Sequence, residues 1–147
     1  MSVSLQDWLK NGWLIEHQTS HKEIADLLGM ADRDLAQCQT PHLSPDWQLS
    51  IAYNAALQAA IAALAAAGYR AARDAHHYRV IQSLAYTIKA DVRVIAQLDK
   101  FRKKRNISGY ERAGAVSAQE VKEMFALAKN LRNEVEKWLR SNYRKLL

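Results

Sequence analysis

The stretch from Ser44 to Gly68 constrains the fold most. It is dense in alanine after Ala55, and Ile51, Leu57, Ile61 and Leu64 are set among the small side chains. Alanine is the best helix former. Ser44 is placed to cap a helix, with Pro45 in the first turn, where a missing N–H costs nothing. Gly68 is placed to end it. Small side chains let neighbouring backbones come close, so the spacing predicts the central helix of a bundle. The longest apolar run, Ala59 to Ala67, has nine residues. That is well short of the ~20 that a spanning helix needs, and no membrane-crossing segment is expected.

The rest of the chain follows the same period. Ser4 caps a short first helix, which Gly12 weakens. Ser20 and Glu23 have the spacing of a capping box, and Ile24, Leu27, Leu28 and Leu35 share the inner face of the helix behind it. Thr40-Pro41 stops that helix. A further helix is expected from about Ala75 to Lys89, with His77, Val80, Ile81 and Leu84 inward. Another begins near Asp91 and runs through Val92, Ile95 and Leu98 into a basic segment. Gly109 and Gly114 mark a loop. Ser117 and Glu120 form a second capping box. The last helix turns Val121, Met124, Phe125, Ala128, Leu131, Val135, Trp138 and Leu139 inward. Its opposite face holds Lys122, Lys129, Arg132, Asn133, Glu136 and Arg140. Trp8, Trp13, Trp47 and Trp138 read as packing anchors. No strand alternation is visible. The expectation is an all-α fold, a four- to five-helix up-and-down bundle forming one domain over residues 1–147.

Residues 21–38 also match a helix-turn-helix, with Ala25, Gly29 and Leu35 at the small, turn and anchor positions. Charge argues against DNA reading there. The second helix would bring Asp32, Arg33 and Asp34, net negative, towards phosphates, whereas groove-entering helices gain most of their affinity from cations.

Charge is unevenly spread. The chain carries +6 with histidine neutral. Residues 1–68 are net acidic and residues 69–147 net basic. Residues 100–112 alone hold six basic side chains and one acidic. A helix C-terminus favours cations, but six repel one another unless solvated or neutralised by an anion. Asp99 stands one turn before Arg102 and Lys103 and can pair with both. Arg102, Lys103, Lys104, Arg105 and Asn106, with Tyr110, make a set able to grip a phosphate: arginine gives a planar fork, and amide and phenol add neutral hydrogen bonds. Phe101 reads as core. The single Cys38 excludes an internal disulfide and a cysteine-rich zinc cluster. His17, His21 and His42 lack metal-ligand spacing, so neither a metal nor another cofactor is expected. A lone thiol and no signal-like N-terminus point to the cytoplasm.

An ordered set of residues carries a resemblance. It consists of Arg33-Asp34-Leu35, then Asp46-Trp47 and Ile51-Ala52-Tyr53-Asn54-Ala55-Ala56-Leu57. It continues with Gly68-Tyr69-Arg70, His76-His77 and Asp99, Arg102, Arg105-Asn106, Tyr110. Over about residues 20–143 the chain resembles HEPN-domain proteins, small helical bundles. The resemblance implies a homodimer whose two arginine motifs line a shared cleft. It implies a metal-independent endoribonuclease or a binding module, often paired with a nucleotidyltransferase in a toxin–antitoxin arrangement. The family motif is an arginine, a gap of four to six residues, and a histidine. Its arginine carries over to Arg105 and its polar neighbour to Asn106. The histidine position falls on Tyr110, a departure. A phenol with a pKa near 10 is almost wholly protonated at pH 7 and makes a poor general base. The resemblance therefore implies RNA or nucleotide phosphate binding through Arg102, Lys103, Lys104, Arg105 and Asn106. Asp99 and His76 would support it, with Arg105 steadying the scissile phosphate and Tyr110 or His76 moving the proton. The alternative it implies is a non-catalytic module that docks a nucleotidyltransferase.

Overall fold

The computed structural model describes the backbone of residues 4–110 and 116–147 and the side chains of 4–106 and 116–147. The chain is mainly helical. The six α-helices among the described residues are more than the four or five expected, because two of them are short.

Helix α1 (Leu5–Lys10) begins at a complete capping box. Ser4 Oγ accepts from the Asp7 backbone N–H at 3.3 Å, and the Asp7 carboxylate accepts from the Ser4 N–H at 2.8 Å. Trp8, buried, sets its ring edge against Trp13 and Tyr86. Gly12, at a φ of 78°, turns the chain into β1 (Leu14–Glu16). This strand pairs antiparallel with β2 (Tyr69–Ala71), Leu14 opposite Ala71 and Glu16 opposite Tyr69. The small sheet corrects the all-helical expectation. Strands of three residues are too short to display a period of two, and the chain between them hides the pairing.

Helix α2 (His21–Gln37) runs unbroken through Gly29, which removes the turn that a helix-turn-helix at 21–38 requires. Its buried stripe is Ile24, Leu28, Ala31 and Asp34. The capping box at its start is half formed. Ser20 Oγ accepts from the Glu23 N–H at 3.1 Å, but the Glu23 carboxylate turns instead to His17 Nε2 and Thr19 Oγ1, each at 2.7 Å. An imidazole and a hydroxyl together outcompete one backbone N–H.

Helix α3 (Pro45–Ala66) starts at Ser44, whose Oγ accepts from the Trp47 N–H at 3.3 Å. It ends as Gly68 takes a left-handed φ of 100°, where a side chain would be strained. Buried side chains lie all round it, as befits a central helix. Its partners are chiefly α2 and α6 (Ala118–Asn142). By length and mean hydropathy α3 does reach the range of a membrane-crossing helix, contrary to expectation, but 72% of its apolar window is buried inside the bundle. A polar tie joins it to α2: the buried carboxylate of Asp34 accepts from Asn54 Nδ2 at 2.6 Å and from the Arg33 guanidinium.

Helix α4 (His76–Ser83) is shorter than its apolar pattern suggests. Ser83 Oγ donates to the Val80 carbonyl at 2.6 Å and Thr87 Oγ1 to the Ser83 carbonyl at 3.4 Å. These buried hydroxyls take up carbonyls at the helix end, a known competition with the helical ladder. Helix α5 (Val92–Tyr110) follows, with the Asp91 carboxylate accepting the Arg93 N–H at 2.8 Å. It continues through Gly109, where a loop was expected; Gly114 lies outside the described residues. Ile95, Leu98 and Phe101 are its buried side chains. Helix α6 opens on the second capping box, Ser117 with Glu120, and buries Met124, Ala128, Leu131, Val135 and Leu139. Arg132, expected on the solvated face, reaches across to Asp32 of α2 through two hydrogen bonds of 2.7 and 3.1 Å. Trp47 is no packing anchor: it is 65% exposed.

Candidate functional site

Asp99, Arg102, Lys103, Lys104, Arg105 and Asn106 follow one another along α5, on either side of the buried Phe101. Asp99 Oδ1 accepts from Arg102 Nε at 2.7 Å, and its other oxygen lies 3.5 Å from Lys103 Nζ. The pairing read from the spacing is therefore made. It fixes the Arg102 guanidinium over the Tyr78 ring, 5.6 Å from the ring centre. Arg105, one turn on, lies 5.4 Å over the ring of Tyr53 in α3.

Between α4 and α5 opens a concavity of about 480 Å³, lined by Ala75, His76, His77, Tyr78, Arg102 and Asn106. Ala75 adopts a left-handed φ of 53° just before α4, and the turn brings three consecutive ring side chains to the helix start. His76 and Asn106 thus share this concavity with Arg102. Lys104 does not join them. Its ammonium pairs with Glu120 of α6 at 3.6 Å, because its position on α5 faces the neighbouring helix. Lys103 is exposed, and neither it nor Arg105 lines the concavity. The side chains of residues 107–115, Tyr110 among them, lie outside the described residues.

Sequence reasoning missed two members and misassigned a third. Tyr53, deeply buried, places its hydroxyl 3.4 Å from His77 Nδ1. His77 reads as an inward core residue, yet it is only half-buried and lines the concavity. Tyr78 is exposed and gave no signal beyond its place after two histidines.

The electrostatics of this cluster are positive. Burial pushes the Tyr53 hydroxyl up to about 12, against the downward pull of Arg105 and Arg102. Tyr53 thus remains a protonated hydroxyl at any physiological pH. His77 is held below the ordinary imidazole range, first by burial and then by the charges of Arg105, His76 and Arg102. At pH 7 its ring is neutral and offers one nitrogen as donor and one as acceptor.

The lowered His77 pKa has a measurable sign. The unfolded chain binds the proton more readily, so the stability linked to His77 is complete above about pH 6.5 and is lost as pH falls through the depressed value. His77→Gln is expected to flatten the pH dependence of stability between pH 7.5 and 5.5, read by urea melts; an unchanged profile in the variant would mean that His77 does not carry this linkage.

Comparison with protein-family models, with curated proteins and with solved structures finds no match to this chain.

Proposed function

We propose that the α4–α5 concavity binds the phosphate of an RNA strand or nucleotide, in the manner of a HEPN-type protein whose bundle dimerises to form a shared cleft. One observation carries the reading. Arg102 is oriented by Asp99 into an open concavity with His76, His77 and Asn106, where burial and then the neighbouring cations hold His77 below the ordinary imidazole range. A guanidinium fork, an amide and two imidazoles match the oxygens of a phosphate. Arg105, stacked on Tyr53 at the same end of α5, adds a second fixed cation.

The same set supports metal-independent RNA cleavage. A neutral imidazole takes the proton of a ribose 2′-hydroxyl as that oxygen attacks the adjacent phosphorus. A second acid returns a proton to the departing 5′-oxygen, and the arginines stabilise the charge that builds on the phosphoryl oxygens. His76 or His77 serves as base, and Tyr110 is the sequence-derived candidate for the acid. The tyrosine in the place of the family's histidine favours a second reading, a binding scaffold without chemistry, whose partner would be the nucleotidyltransferase that HEPN relatives accompany.

Chelator-treated protein separates these readings. Wild type is expected to bind single-stranded RNA without metal, Arg102→Ala to lose most of that binding and Arg105→Ala to weaken it; wild-type affinity in both variants at low salt would overturn the phosphate site. Cleavage by wild type supports the enzyme. Cleavage only by Tyr110→His supports the scaffold.

A further inference from the structure

Beside the concavity, Arg79 of α4 lies flat over the indole of Trp13, 3.7 Å from the guanidinium carbon to the ring centre. Its Nε is buried without a hydrogen-bond partner. Among the described residues no carboxylate pairs with it and no side-chain hydrogen bond reaches it. A half-buried guanidinium is ordinarily neutralised by a carboxylate; here the ring face of Trp13 supplies the attraction that holds it. Tyr78 lies near both this cation and Arg102. Its ring centre is 6.0 Å from the Arg79 guanidinium and 5.6 Å from that of Arg102, and it is 39% exposed. Two guanidiniums therefore lie within about 6 Å of one accessible aromatic ring that lines the concavity.

Two cations about one ring complement the phosphates and base of a single strand, where grooves combine charge along the backbone with aromatic rings under the bases. We propose that Arg79, held by Trp13, is a second phosphate subsite. It takes the phosphodiester next to the one gripped at Arg102, and the base between them stacks on Tyr78. The inference rests on the reading of the Arg102 concavity as a phosphate site. It adds that the ligand is a polynucleotide strand rather than a mononucleotide.

The test uses the full chain, a short fluorescently labelled single-stranded RNA titrated over a range of salt, and a nucleoside monophosphate as second probe. Loss of one single-strand phosphate contact lowers the steepness of log K against log salt by about 0.7. Arg79→Gln is expected to show that drop, with about tenfold weaker RNA binding and unchanged monophosphate binding. Arg79→Lys is expected to restore the slope. Tyr78→Leu, at an exposed position, is expected to keep the slope and lose about fivefold or more in RNA affinity. Arg102→Ala weakens both probes if the concavity is the primary site. Wild-type slope and affinity in Arg79→Gln, together with loss in Arg102→Ala, would overturn the second subsite and leave the first standing. Absence of binding by wild type to either probe overturns the primary site itself. A dimer that dissociates in Arg79→Gln during sedimentation, with the salt slope unchanged, would assign the cluster to contact with a second copy and also overturn the proposal.

Discussion

Replacing Phe101 with alanine is expected to destabilise the protein by about 3–5 kcal/mol, the range for removing a fully buried aromatic ring. The ring is 1% exposed and lies on the inner face of α5 with Ile95 and Leu98. A domain of this size is stable by only about 5–15 kcal/mol in total, so this single ring accounts for a large share. The consequence extends beyond stability. Arg102 follows Phe101 directly, and Asp99, Arg105 and Asn106 flank it on the same helix. What anchors α5 to α3 and α4 therefore also aims the cations. Urea denaturation is expected to show the full loss, and RNA affinity to fall with it even where the variant remains folded. Val92→Ala on the same helix serves as control. Val92 is 80% exposed, and its replacement is expected to stay within about 0.5 kcal/mol of wild type. A Phe101→Ala cost below about 1 kcal/mol would mean that the inner face of α5 is not packed as described.

The helices were legible because their signals are local. Ser4, Ser44 and Ser117 each cap within four residues, and the apolar stripes of α2 and α6 repeat at three and four. The alanine density of α3 announces a central helix because no exposed helix gains from so many small apolar side chains. What escaped depends on distant neighbours. Nothing near Glu23 shows that His17 and Thr19 will draw its carboxylate away from Ser20. The β1–β2 pairing joins segments on either side of two helices. Lys104 and Arg105 are adjacent and chemically alike in sequence. One meets Glu120 and the other Tyr53 because successive positions on a helix diverge by about 100°. The candidate site was half legible for the same reason. Asp99, Arg102 and Asn106 share one helix at offsets of three and four, and His76 begins another. Tyr53 and His77 entered it only through the packing of α3 against α4 and α5. Their mutual hydrogen bond links residues far apart in the chain.

The largest binding effects are expected at the Asp99–Arg102 pair, and they should have opposite signs. Arg102→Ala removes a charge-assisted contact worth about 1.5–3 kcal/mol, so RNA affinity is expected to fall roughly 10- to 100-fold. Asp99 acts on the same ligand through two opposed effects. Its carboxylate orients Arg102 through the 2.7 Å bond to Nε, and its negative charge would repel the phosphate proposed at Arg102. Asparagine separates the two, because its amide oxygen still accepts from Nε while the charge is gone. Asp99→Asn is therefore expected to tighten RNA binding about two- to fivefold at low salt, a gain that screening erodes as salt rises. Asp99→Ala removes the orienting acceptor as well and is expected to bind more weakly than Asp99→Asn. Anisotropy titrations of the three variants at two salt concentrations read all of this. If Asp99→Asn binds more weakly than Asp99→Ala, the carboxylate is not acting as an orienting acceptor. If Arg102→Ala binds like wild type, the phosphate is held elsewhere on the molecule.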